Sequence, residues 1–215
     1  MFIAIEGPDG SGKGIQVEKL HQRFLSKNIL SHKISFPRYE TPTGKIVKKY
    51  LNGEFGPADE VHPLVASMFY ALDRQAAVPD LSQWLENGQN VVSDRYVASN
   101  FGHQGGKISD LNERKKLITQ LADIEFKVLG IPEPSVNIIL SVPVKVSLDL
   151  LCKRAKEGRA LDQHEQEGHL IRAHETYHLL PKWFPFHYKI INCYENGRLL
   201  SPNVVHEKIW EELKI

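Results

Sequence analysis

The sequence predicts an α/β domain, a five-stranded parallel sheet with helices on both faces. Three observations carry this reading. Short apolar runs alternate with longer segments of helical periodicity along all 215 residues, the order that winds a parallel sheet. The run 136–142 is apolar except for Asn137 and Ser141, which suits a strand covered on both faces. The first strand-like run, Phe2 to Glu6, leads straight into a glycine-rich turn and then a helical pattern.

The elements follow in order. Residues 2–6 read as the first strand and 13–27 as the helix behind the turn, with Ile15, Val17, Leu20, Phe24 and Leu25 on its apolar positions. Residues 31–36 form a second strand closed by Pro37, and 43–51 a short helix ending at Asn52-Gly53. Residues 63–83 are a long, mostly apolar helical segment in which Pro79 predicts a kink or a new turn. After Gly88, residues 90–93 form a buried third strand leading into Asp94-Arg95-Tyr96, followed by a polar, glycine-bearing stretch through Gly105-Gly106. Residues 111–128 are helical, 136–142 are the fourth strand, and 144–155 and 170–180 are helices on either side of a charged segment. Residues 188–193 make the last strand, and Ser201 with Pro202 opens a closing helix that runs to Leu213. No linker or repeat interrupts residues 1–215, so one domain is expected, its ligand crevice at the C-terminal ends of the strands.

Composition narrows the function. Hydrophobic residues at 41% and charged residues at 25% are ordinary for a globular domain with a sizeable core. A formal net charge of +1 argues against a nucleic-acid polymer as partner. The N-terminal apolar run is too short for a signal and ends in Glu6. No stretch reaches the ~20 apolar residues that span a bilayer. Cys152 and Cys193 are widely spaced and read as buried free thiols of a reducing, cytoplasmic compartment. The ten histidines lack a paired-ligand spacing, so no structural metal is expected.

The turn Gly7-Pro8-Asp9-Gly10-Ser11-Gly12-Lys13-Gly14 matches a phosphate-binding loop except at its last position, where Ser or Thr is the rule. Glycines let successive backbone N–H groups turn toward a phosphate chain. The helix that follows adds its unpaired N–H groups and dipole, and Lys13 adds a mobile charge. Asp9 points out of such a nest, because phosphate would repel it. It either meets a sugar hydroxyl or braces the loop as an Asx-turn.

Four further clusters stand where a nucleotide site can use them. Arg38, in Phe36-Pro37-Arg38, follows a strand end and either clamps a phosphoryl group or sits in a surface turn. Asp94, after a buried strand, suits Mg²⁺ or one of its waters, and Arg95 an acceptor phosphate; the alternative is a structural salt bridge. Arg74 lies in an apolar helix one turn from Tyr70 and faces either a cavity with a stacked base or solvent. Arginines and lysines from Lys153 to Arg159, with Asp162 and Glu165 beyond, form either a lid over phosphates or a solvated face.

Together these motifs resemble the thymidylate kinase family over nearly the whole chain: Asp in the loop, Phe-Pro-Arg, aromatic-Ala-x-x-Arg, Asp-Arg-Tyr, Gln104-Gly105-Gly106 and a lid carrying arginines. The resemblance implies a P-loop NTPase fold with a small lid at about 153–167, and phosphorylation of dTMP to dTDP by ATP with Mg²⁺. Gly7, Gly10, Ser11, Gly12, Lys13, Gly14 and Ile15 would bind ATP, with Cys193 beside adenine and Arg154 either stacked on adenine or touching the ATP phosphates. Asp9, Arg38, Tyr70, Arg74, Arg95, Tyr96, Ser99, Asn100 and Gln104 would bind dTMP, Tyr96 near the sugar. Lys13, Asp94, Arg95 and Arg159 would be catalytic, with Asp94 at the metal. Some members carry a catalytic arginine in the loop and others in the lid. Gly10 leaves the loop without one, so the resemblance implies the lid arrangement of the bacterial type. It also implies a homodimer through the helices at 63–72 and 111–128.

The chain departs from the family at Gly14-Ile15, where two hydroxyl residues are usual. The expected result is a weakened Mg²⁺·ATP site or slower turnover. Two alternatives stay open: a kinase of another deoxynucleotide or deoxynucleoside, and a nucleotide-binding protein with weak catalysis.

Overall fold

A computed structural model describes residues 1–156, 167–185 and 187–214. Its centre is β1 (Phe2–Glu6), buried at every residue. β2 (Ser31–Ser35), β3 (Asn90–Asp94), β4 (Val136–Ser141) and β5 (Tyr188–Asn192) complete a five-stranded sheet in the order β2-β3-β1-β4-β5. Every pairing is parallel, with Ile3 opposite Val92 on one side and Val136 on the other. Alternation along the strands sorts the core. Phe2, Ala4, Val91 and Ile139 face one layer of helices, while Ile3, Ile5, Val92 and Ile138 face the other.

Helices α1 (Lys13–Ser26) and α9 (Pro202–Leu213) cover the second face, through Val17, Leu20, Phe24, Val205 and Ile209. Each such side chain removed from water contributes about 1.5–3 kcal/mol. The first face is covered by α4 (Val78–Glu86), α5 (Val97–Gly105), α6 (Leu111–Ala122) and α8 (Glu167–Trp183). Helices α2 (Pro42–Leu51) and α3 (Pro63–Gln75) form a smaller cluster around Tyr50 and Ala66. Helix α7 (Val144–Lys156) follows β4. A hairpin, β6 (Tyr194–Glu195) and β7 (Arg198–Leu199), turns at Asn196 and Gly197, both at positive φ. Among the described residues no helix is long and apolar enough to cross a membrane.

Three expectations are refined. The apolar segment from Pro63 is two helices, because a proline ring at Pro79 would strike the carbonyl of Gln75 in a continuous helix; α3 stops there and Pro79 opens the first turn of α4. The glycine-bearing stretch after Tyr96 is helical. A Cβ on Gly102 would lie 2.5 Å from Tyr177 Cε2, so glycine admits α8 against α5. Close packing there outweighs a helix penalty of about 1 kcal/mol per glycine. Finally, α6 passes into a π-helical turn at Asp123–Val128, which carries the buried Glu125.

Candidate active site

The loop between β1 and α1 is built around the start of the helix. Gly12 caps α1 without a side-chain bond, and no acidic residue lies in the first turn. The leading N–H groups and the positive end of the dipole therefore face an anion site. Gly10 is at φ +80°, and a Cβ there would sit 2.7 Å from the Ser147 carbonyl oxygen of α7. Position 10 thus has no room for an arginine. Lys13 is buried and its Nζ donates to the Pro8 carbonyl at 2.8 Å. Burial, reinforced by the charge of Arg95, pushes its ammonium down to about 8 against the pull of Asp9, Asp94 and Glu6.

A cleft of about 520 Å³ opens at the C-terminal ends of β1, β2 and β3. Asp9, Gly10, Gly12, Lys13, Gly14 and Asp94 line its phosphate-loop end. Tyr70, Arg74, Arg95, Tyr96, Ser99, Asn100 and Gln104 are among the residues that line the rest. Sequence positions spread over 96 residues, from 9 to 104, therefore meet in one cavity.

Paired charges fix its shape. Arg95 sits at φ +65°, a conformation uncommon outside glycine that costs of order 1–3 kcal/mol. Its guanidinium pairs with Asp9. Arg74, buried in α3, is held by Glu125, with Nε donating to Oε2 at 2.6 Å and Nη2 to Oε1 at 2.7 Å. Asn100 Nδ2 adds a bond to the same carboxylate at 2.8 Å. So Arg74 faces a cavity, as one of the two sequence readings has it, and its counter-ion lies 51 residues away. Glu6 ends β1 inside the protein and accepts the Tyr96 N–H and the Ser99 hydroxyl, both at 2.7 Å. Burial holds its carboxyl above the usual range, against those bonds. Gln104 is buried, with neither end of its carboxamide hydrogen-bonded to the described residues. An orphaned amide on a cleft wall is suited to a ligand with both donor and acceptor edges.

Other expected residues stand apart from the cleft wall. Arg38 is not on it, although Phe36, Pro37 and Tyr39 are. Its backbone N–H and Nε donate to Asp73 at 2.7 and 3.2 Å, and Asp73 also takes the Thr43 hydroxyl. Tyr96 borders the cleft but is fully buried, its ring packed on Phe2 and Phe36 and its hydroxyl donating to the Pro132 carbonyl at 2.9 Å. Gly7 and Ser11 lie beneath the loop; the Ser11 hydroxyl is buried and unpartnered among the described residues. Ile15 is half exposed on α1, away from the cleft. Cys193 is turned into the core beside β5, where burial pushes its thiol up to about 12. Cys152, expected to be buried, is exposed, because Leu151 takes the inward position on α7. The side chain of Arg154, all of Arg159 and most of the expected lid lie outside the described residues.

Sequence reasoning missed Glu6, Asp73, Glu125 and His103. Glu6 had a signal, an acid ending a fully apolar strand; Asp73 and Glu125 become visible only once α3, β2 and the π-helical turn are assembled.

A profile of thymidylate kinases matches residues 5–208. The chain belongs to the thymidylate kinase family. A thymidylate kinase of Mycobacterium tuberculosis is 34% identical over 173 residues, covering 79% of this chain and 80% of that protein. One from Prochlorococcus marinus is 31% identical over 177 residues, covering 80% and 75%. The fold is that of a thymidylate kinase structure from Candida albicans, with a TM-score of 0.75 over 99% of this chain and 90% of the other, at 20% identity.

Proposed function

We propose that this protein transfers the γ-phosphoryl group of ATP to the phosphate of dTMP, giving dTDP. The observation that carries the reading is the single cleft that joins the phosphate loop to Tyr70, Arg74, Arg95 and Gln104. In this reading the ATP phosphates lie on the loop N–H groups and Lys13, whose burial strengthens its pull on an anion. Phosphate binding holds Lys13 in its charged form. Arg95 exchanges Asp9 for the acceptor phosphate, and the released Asp9 carboxylate turns to the deoxyribose hydroxyl. Arg38, splayed by Asp73, supplies a second cation at the same end. Tyr70 stacks on thymine, while Arg74 donates to a base carbonyl and Gln104 meets the base edge. Ser99 and Asn100 are pinned by Glu6 and Glu125 and keep the pocket wall in register. The acceptor is already an anion, so positioning and charge neutralisation carry the in-line transfer.

The residues also fit a Mg²⁺ ion. A Cβ at Gly14 would approach Asp94 Oδ2 to 3.2 Å, so the carboxylate lies beside the start of α1, with glycine leaving space there. Among the described residues no group of three or more histidine, cysteine or acidic side chains is arranged to hold a metal ion by itself, and one carboxylate plus waters and phosphate oxygens is an ordinary Mg²⁺ set. When bound, the ion would neutralise phosphate charge. The cytoplasmic setting and a homodimer belong to the same reading. Val65 and Leu72, two turns apart on α3, are exposed at 50% and 47% and support pairing through that helix. ATP consumption assayed over a panel of nucleosides and monophosphates tests the function. Turnover is expected with dTMP; turnover only with another acceptor, or binding without turnover, refutes it.

A further inference from the structure

A chain of polar groups outside the assigned set runs from the cleft to the far side of α8. His103 of α5 lies on the cleft wall, and His169, in the first turn of α8, is buried behind it. Their rings stack 15° from parallel, and His103 Nδ1 lies 3.0 Å from His169 Nε2. On the outer side, His169 Nδ1 faces Asp59 Oδ1 at 3.6 Å, and Arg172 holds the other Asp59 oxygen at 3.1 Å. On the inner side, Arg95 Nη1 approaches His103 Nε2 at 3.4 Å.

Only one arrangement of protons satisfies all of these contacts. A guanidinium has donors and no acceptor, so His103 Nε2 presents its lone pair to Arg95. The ring's proton then sits on Nδ1 and is donated to His169 Nε2. His169 in turn carries its own proton on Nδ1, toward Asp59. Both rings are neutral, and donation runs in one direction, from Arg95 through His103 and His169 toward Asp59. Burial pushes His169 down to about 4, against the pull of Asp59, which keeps this state in place at neutral pH.

We propose that His103 and His169 are positioning residues: the hydrogen bond between them, with the Asp59 carboxylate facing its outer end, holds Arg95 ready for the acceptor phosphate. Asp9 grips one edge of the guanidinium, and the histidine chain steadies the other together with the Gly7 carbonyl and the Ser99 hydroxyl. When phosphate displaces Asp9, the chain keeps Arg95 from following it. This rests on the reading of Arg95 as the acceptor-phosphate arginine, so one of its two tests is independent of activity.

The independent test is the nitrogen spectrum of ¹⁵N-histidine-labelled protein without ligand, with His103→Gln and His169→Gln used to assign the two rings. Both are expected as the neutral Nδ1–H tautomer between pH 6 and 8. An Nε2–H tautomer or a charged ring at His103 overturns the chain whatever the substrate is. The kinetic test compares His169→Phe, which keeps a ring but cannot accept, with His169→Gln, whose amide oxygen can. Losing one such bond should raise KM for dTMP about fivefold in the phenylalanine variant, leave KM for ATP within about twofold, and be largely restored by glutamine. Equal effects on both substrates, or glutamine as poor as phenylalanine at matched thermal stability, overturns the positioning role. Failure of the wild type to use dTMP would instead refute the proposed function, with the tautomers still deciding the chain.

Discussion

Replacing Glu125 by leucine should be among the most destabilising single changes outside the apolar core. The carboxylate is fully buried and its partner Arg74 is 1% exposed. The variant removes bonds of 2.6 and 2.7 Å to the guanidinium and one of 2.8 Å from Asn100. It leaves a cation in the interior without its paired carboxylate, and removing one partner of a buried pair costs about 3–5 kcal/mol. In a chain of this length each kcal/mol lowers Tm by about 2–4 °C, which gives a fall of about 6–20 °C. Arg74→Met should cost a similar amount, because it strands the carboxylate instead. The double variant should be more stable than either single one, since the apolar pair strands no charge. Urea unfolding followed by circular dichroism, run as a double-mutant cycle, measures the coupling. If the double variant loses the sum of the two single losses, or Glu125→Leu melts within about 2 °C of the wild type, the pair does not hold Arg74 in the way the geometry implies.

Two further predictions concern the phosphate loop. Gly14→Ser with Ile15→Thr should lower the Mg²⁺ concentration for half-maximal rate or raise turnover, because the serine hydroxyl would stand beside Asp94; an unchanged magnesium titration and rate would refute this. Lys13 titrates near 8 rather than 10.5 in the ligand-free protein, so it carries fewer protons than an ordinary lysine above pH 8. Bound phosphate restores the charge, so ATP binding at pH 8.5 should take up as much as about 0.8 proton and weaken as pH rises further. Calorimetry in two buffers of different ionisation enthalpy reads this uptake, and identical heats would rule it out.

The sheet was legible because its signals are local. β1 and β4 are short apolar runs bounded by polar residues, and the loop declares itself in eight consecutive positions. Helix α5 was not legible, because Gly102 is a poor helix former in isolation and its reason for being there is Tyr177, far along the chain. The same holds for charge. Arg74 looked expensive from its neighbours alone, yet nothing near it named Glu125, and the π-helical turn that presents that carboxylate has no local signature. Arg38 read as a strand-end cation, while its hold on Asp73 depends on how α3 lies against β2. Cys193 shows the limit of motif reasoning. Its place in the chain can be read, but the direction of its thiol is decided by the core. The hairpin at Asn196-Gly197 was missed although its signal is local, since that dipeptide is a strong turn former.

The seat of Gly10 against Ser147 has a consequence for the history of such a chain. A residue with a side chain at position 10 must accept a left-handed backbone and also displace the opening turn of α7. A positive charge therefore cannot enter at position 10 by one tolerated codon change. The junction between β4 and α7 would have to loosen first, with no benefit until the second change arrived. Descendants of this sequence are in that sense committed, and selection on phosphoryl transfer is channelled toward parts of the chain that leave the loop as it is.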